Sequence, residues 1–129
     1  MAAALAASLP IGRLLAAGAG VPVGGDVAAV TGSGTATTLE RAALQELRDS
    51  LRGALLLAGD AGYDQARRVL NESINKHPAL IVQPTGVADI RNAVTFARER
   101  ELLLAVKCGG HSPSGKSTCD GGMQIDLSH

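Results

Sequence analysis

The chain has 129 residues, room for one domain at most, and its twelve basic and twelve acidic side chains cancel, so no net field draws it to nucleic acid or an anionic membrane. One tyrosine, one phenylalanine and no tryptophan leave no aromatic platform on which single-stranded bases could stack. Two cysteines are too few for a disulfide framework, and no apolar run reaches the roughly 18 residues of a membrane-spanning helix.

Met1 to Val23 is rich in alanine and glycine and is interrupted by Pro10 and Arg13. It has the character of the apolar core of a secretory signal, with Ala17-Gly18-Ala19 as a small-residue cleavage pattern, but the preceding basic segment is missing. A truncated signal would imply export; an Ala/Gly-rich leader would leave the chain in the cytoplasm. Residues 20–36 carry one charge, Asp26, and no helical period, which predicts a linker. On this reading residues 1–36 are leader and linker, and the packed domain occupies 37–129.

Thr37-Thr38-Leu39-Glu40 fits a capping box, and Leu44, Leu47 and Leu51 follow at helical spacing until Gly53. Leu55 to Leu57 fits a very short strand, and Gly59-Asp60-Ala61-Gly62 a turn in which Asp60 could cap the next helix. Tyr63, Ala66, Leu70 and Ile74 would share one face of that second helix, which His77-Pro78 closes. Ala79 to Val82 is a buried-strand pattern, and Pro84-Thr85-Gly86 turns the chain. A third helix runs from Val87 to about Arg100, with Val87, Ile90, Val94 and Ala97 on one face. Asp89 in its first turn and Arg98 and Arg100 in its last suit the helix dipole. Leu102 to Val106 and Met123 to Leu127 are further strands. Strand, helix and strand in this order predict an α+β fold containing a right-handed βαβ unit.

Between the last two strands lies KCGGHSPSGKSTCDGG, Lys107 to Gly122, with five glycines in sixteen residues. A Gly-rich turn at the carboxyl end of a strand can form a nest of N–H groups for an anion, typically phosphate. Gly110 to Ser117 also matches G-x-x-x-x-G-K-S, the P-loop of nucleotide phosphatases. That motif needs a helix starting at the Lys-Ser pair, and Gly121-Gly122 so soon afterwards opposes one. A zinc site would use Cys108, His111 and Cys119, but lacks a fourth ligand unless His129 serves. The alternative is that both cysteines are small loop or core residues, or pair with each other if the chain is exported.

GDAGYDQARRVLN, followed by PALIVQPTGVADIRNAVTFARERELLLAVKCGGHSPSGKSTCDGGMQIDLS, resembles the beginning of an FAD-linked oxidase of the vanillyl-alcohol-oxidase type, in particular its berberine-bridge-enzyme-like branch. The resemblance runs from about Leu44 to Ser128 and includes order, spacing and loop sequence. It implies an FAD-binding domain of the PCMH type, of which this chain would hold the N-terminal portion, with the substrate domain and catalytic base further on. By position Gly109, Gly110 and Ser112 would contact the FAD pyrophosphate, and Gly115, Ser117 and Thr118 would continue the cofactor wall. His111 would be the residue joined to the flavin 8α-methyl. No catalytic residue and no metal ligand is carried over. Cys108 departs from the glycine or serine common in the family. The function implied is FAD binding within an oxidase that passes a hydride from a small organic substrate to flavin. The competing classes are the P-loop phosphatase and a non-catalytic fragment.

Overall fold

The computed structural model describes residues 23–129, so the signal-like leader pattern lies outside the described residues. In chain order the elements are β1 (Val27–Val30), β2 (Ala36–Leu39), α1 (Arg41–Ser50), β3 (Ala54–Leu56), α2 (Tyr63–Arg67), β4 (Leu80–Gln83), α3 (Val87–Glu99), β5 (Leu104–Lys107) and β6 (Met123–Asp126). Helices and strands mix as an α+β fold. Among the described residues no helix is long and apolar enough to cross a membrane.

The segment expected as linker is structured from Val23 onward. β1 and β2 pair antiparallel, from Val27 opposite Leu39 to Val30 opposite Ala36. Alternation buries Ala29 and Leu39 in the main core while their neighbours face out. The hairpin is also tied to the rest of the chain: Val30 N–H donates to Gly121 O (2.8 Å) and Leu103 N–H to Val30 O (3.0 Å). Val23 is buried, and its N–H donates to Gln45 Oε1 (3.1 Å). The boundary expected at Thr37 therefore falls inside β2. The capping box fails for the same reason, because Thr37 and Thr38 are spent in the strand. Asp26 caps α1 instead, its Oδ1 accepting from Arg41 N–H at 2.8 Å.

The main sheet has the order β3-β4-β6-β5. β4, β6 and β5 are parallel and β3 is antiparallel to β4. The β4–α3–β5 crossover skips one position, and β6 returns into the gap. On one face Leu55, Leu80, Val82, Met123 and Ile125 pack with Leu44 and Leu47 of α1 and Ala93, Phe96 and Ala97 of α3. On the other face Leu56 and Ile81 pack with Tyr63 and Ala66 of α2. All four residues of β6 are buried, as befits a parallel strand covered on both sides.

Helix α3 is rotated from the predicted face. Its inward residues are Asp89, Ala93, Phe96 and Ala97, while Val87 is 72% and Val94 41% exposed. The rotation follows from Asp89, a carboxylate that begins the buried stripe and so disguises it. The second helix is shorter than predicted and ends at Arg67, leaving Leu70 71% exposed. Asn71 Oδ1 accepts from both Ser73 N–H (3.1 Å) and Ser73 Oγ (2.7 Å), a local alternative to helical bonding. Nor does Asp60 cap α2: Gly62 is its N-cap, and Asp60 Oδ2 accepts from Leu57 N–H (2.9 Å) and Arg48 Nη2 (3.3 Å).

Candidate functional site

The Gly-rich loop leaves the carboxyl end of β5 at Lys107 and enters β6 at Met123. It is a succession of turns. Gly115 N–H donates to Ser112 O (3.1 Å), Lys116 N–H to Ser112 Oγ (3.2 Å) and Thr118 N–H to Gly115 O (3.3 Å). No helix begins at Lys116-Ser117, which removes the context the P-loop reading requires.

The chain between α2 and β4, expected as helix, forms a wall along this loop. Leu70 N–H donates to Gly110 O (2.9 Å), Asn71 Nδ2 to Pro113 O (3.2 Å) and Lys76 Nζ to Gly115 O (3.3 Å). Further along, His77 N–H donates to Asp120 Oδ1 (2.8 Å) and Gly121 N–H returns to His77 O (2.9 Å). The wall lies close beside Gly110, where an added Cβ would be in van der Waals contact with Val69 Cα at 3.4 Å, and φ is +71°. That backbone is one that glycine adopts at little cost.

The expected cofactor residues are brought together by this one loop. Gly109, His111 and Ser114 are exposed along it, while Gly110, Gly115, Ser117 and Thr118 are buried and Ser112 is intermediate. Among the described residues the N–H groups of Gly109, Gly110, His111 and Ser112 donate no hydrogen bond. They are four successive free donors, the raw material of an anion nest. The hydroxyls of Ser117 and Thr118 are buried without a partner. Burying a hydroxyl unpaired costs about 1–3 kcal/mol, which an acceptor on a ligand would recover. The ring of His111 lies against the backbone of Gly109.

The two cysteines differ in environment and are both free thiols, Cys108 exposed and Cys119 buried. Among the described residues no group of three or more His, Cys, Asp or Glu is arranged to hold a metal ion. Burial pushes the Cys119 thiol up to about 11, and its Sγ donates to Met123 O (3.6 Å). Since the thiolate is the nucleophile, brief treatment of the folded chain with iodoacetamide at neutral pH should alkylate Cys108 and spare Cys119. Peptide mass mapping checks this, and equal labelling of both would contradict the burial of Cys119.

Beneath the loop lies a polar group that the sequence reading passed over. Lys107 Nζ donates to Ala66 O (2.6 Å) and Arg68 O (3.1 Å), and Gln124 Nε2 also donates to Ala66 O (2.8 Å). Asp126 is buried at the end of β6 and accepts from Ser128 Oγ (2.6 Å), Ser128 N–H (3.1 Å) and Gln83 Nε2 (3.1 Å). Burial opposes its ionisation, but the bonds from Ser128 and Gln83, helped by Lys107, outweigh it and hold the carboxyl below its ordinary value. The signal was present in the alternation of Gln124 and Asp126 with Met123 and Ile125.

Comparison with known proteins bears directly on this loop. Residues 78–129 match the family described as FAD binding domain. Over 78 residues the chain is 31% identical to (R)-6-hydroxynicotine oxidase of Paenarthrobacter nicotinovorans, covering 60% of this chain and 17% of that protein. Over 86 residues it is 35% identical to an FAD-linked oxidoreductase of Dictyostelium discoideum, covering 66% of this chain and 19% of the relative. Among solved structures, BBE-like 1 of Physcomitrella patens is similar with a TM-score of 0.59 at 28% identity, covering 66% of this chain and 19% of that one. The 6-hydroxy-D-nicotine oxidase of Arthrobacter nicotinovorans superposes with a TM-score of 0.58 at 31% identity, covering 60% of this chain and 17% of that one. The chain thus spans less than a fifth of the length of these relatives. The matched segment includes β4, α3, β5, β6 and the whole Gly-rich loop, and in both sequence and fold it is similar to the PCMH-type FAD-binding domain of FAD-linked oxidoreductases.

Proposed function

We propose that the loop from Gly109 to Thr118 holds FAD. In this arrangement the free N–H groups of Gly109, Gly110 and Ser112 face the pyrophosphate, and the hydroxyls of Ser117 and Thr118 supply its neighbouring contacts, with Gly115 completing the wall. His111 is the point of attachment for the flavin. The observation that carries the reading is the pair of buried, unpartnered hydroxyls in the same loop as a row of unspent N–H donors. Such a set suits a dianionic ligand without requiring a cluster of cationic side chains.

When bound, flavin supplies the redox chemistry by accepting a hydride, here from a small organic substrate. This chain's residues bind and orient the cofactor. Substrate and final electron acceptor belong to the whole oxidoreductase, so the 129 residues by themselves should show no turnover.

The test is titration of the chain with FAD, followed by quenching of flavin fluorescence, with ADP as competitor. Thr118→Val removes one hydroxyl at nearly constant volume and should weaken FAD binding about tenfold. Lys116→Ala should leave it unchanged, because Lys116 is exposed and its side chain takes no part in the loop's hydrogen bonds. A parent chain that leaves FAD fluorescence untouched would refute the assignment. Attachment at His111 has its own test: with the segment placed within a whole FAD-linked oxidase, flavin should remain in the acid-precipitated pellet, and His111→Ala should release it.

A further inference from the structure

We propose that Lys107 is a positioning residue for the cofactor loop, acting through the backbone it ties down. The inference rests on the assignment of that loop to FAD. Lys107 is 7% exposed, and its nearest carboxylate oxygen, Asp126 Oδ1, is 3.9 Å away. Taking an ammonium group out of water is costly, and a pair this loose does not repay the cost. The close contacts are instead the two carbonyls at the end of α2, Ala66 and Arg68, at 2.6 and 3.1 Å.

Those carbonyls matter because of where the chain goes next. Two residues beyond Arg68, the N–H of Leu70 holds Gly110 O at 2.9 Å. Three residues beyond Lys107 lies Gly110 itself. The result is a closed ring: along the chain from Lys107 to Gly110, across a hydrogen bond to Leu70, back along the chain to Arg68, and across a second hydrogen bond to Lys107 Nζ. Gly109 and Gly110 are inside that ring, and both belong to the row of free donors. Glycines have the widest conformational freedom of any residue, so a row of donors built on them needs an external constraint. Lys107 supplies it, at the only place where the ring is closed by a side chain. Gln124 shares the Ala66 carbonyl at 2.8 Å but does not reach Arg68, so it cannot close the ring.

The experiment is amide hydrogen exchange on the whole 129-residue chain without ligand, together with FAD titration, for the parent, Lys107→Met and Lys107→Arg. Met keeps an unbranched apolar stem and removes the donors. Arg restores donors to both carbonyls. In Lys107→Met the Leu70 amide should exchange at least about tenfold faster, while the Met123 amide, which donates to Leu103 O inside the sheet, keeps its protection. FAD affinity should fall about tenfold, because the donor row must now be ordered on binding. Lys107→Arg should recover both readouts. The proposal is overturned if Lys107→Met leaves Leu70 exchange as in the parent. It is equally overturned if Met123 loses protection in step or the chain unfolds, since Lys107 would then hold the sheet and not the loop. The two readings fail separately. A parent that binds no FAD while Lys107→Met frees Leu70 removes the cofactor assignment and keeps the ring. A parent that binds FAD while Lys107→Met changes neither readout keeps the assignment and removes the ring.

Discussion

Asp89→Ala should lower the stability of the folded chain by about 3–5 kcal/mol. Asp89 is 2% exposed at the start of α3, and its carboxylate joins two distant parts of the chain. Oδ1 accepts from Arg52 N–H (2.9 Å), and Oδ2 from Gly53 N–H (2.8 Å), Thr85 N–H (3.0 Å) and Thr85 Oγ1 (3.2 Å). Three backbone donors thus lose their acceptor at once, each at about 1–3 kcal/mol if water does not reach it. The loss of a negative charge at a helix start adds a smaller amount of the same sign. A total of about 3–5 kcal/mol is comparable with the whole stability of a small domain, about 5–15 kcal/mol. Gly53 explains why the joint cannot simply shift, since a Cβ there would run into the carbonyl of Gln83. Asp89→Asn keeps one acceptor oxygen and should fall between the two.

The same carboxylate sets a pH dependence. Burial raises the Asp89 pKa, but the hydrogen bonds from Thr85, Arg52 and Gly53 outweigh that and leave it below its ordinary value. A carboxyl whose folded pKa is depressed stabilises the fold fully above the unfolded value, about 3.9, and loses that contribution as pH falls through the folded value. Asp126 has the same sign. Urea midpoints followed by far-UV circular dichroism should therefore hold down to about pH 4 and fall below it, with a shallower fall in Asp89→Asn. An Asp89→Ala chain with the parent's urea midpoint would mean that the joint between Gly53 and Thr85 is not a stabilising one.

Asp89 also shows why parts of the fold were legible in the sequence and others were not. β4 and β5, LIVQ and LAVK, are short runs rich in Leu, Ile and Val, and their apolar content is a strand signal wherever they sit, while β6, MQID, alternates apolar and polar residues. β1 and β2 are VAAV and ATTL, where small residues alternate with others too little different to mark a face. The hairpin becomes visible only when Ala29 and Leu39 meet the core. Helix α3 was placed correctly along the chain but turned wrongly, because its buried stripe opens with a carboxylate whose three backbone donors lie outside the helix. The second helix was overextended because Leu70 and Ile74 fit its period and outweighed the local bonds of Asn71 to Ser73, while the claim of Lys107 on the last carbonyls depends on tertiary neighbours. The loop itself was the most legible feature, since its glycine spacing is a backbone requirement written directly as residues. Lys107 was missed because it is the one polar residue of β5, and only strand pairing brings it beside Gln124 and Asp126 of β6.

Gly110→Val should abolish FAD binding, by about 100-fold or more, while leaving the sheet folded. At φ +71° a β-branched side chain is strained by about 1–3 kcal/mol, and the position is hemmed in as well. Its Cβ would lie 3.4 Å from Val69 Cα and 3.6 Å from Leu70 N, so the two additional methyl groups have no clear space on the wall side. The loop must move away from the wall, which breaks the bond from Leu70 N–H to Gly110 O and turns the N–H groups of Gly109, Gly110 and His111 out of register. Gly115 has the same φ, and there a new Cβ would run into Cδ1 and Cγ2 of Ile74, so that half-buried side chain would have to move. Gly115→Ala adds a single methyl group at the same φ and meets a side chain and no backbone, so it serves as the control for left-handed backbone away from the Val69-Leu70 wall. Neither residue belongs to the apolar core, so protection of the Met123 amide should survive both changes. The measurement is fluorescence titration with FAD alongside amide exchange. Binding by Gly110→Val as tight as the parent's would show that the cofactor does not rest on this loop, whatever else in the chain holds it.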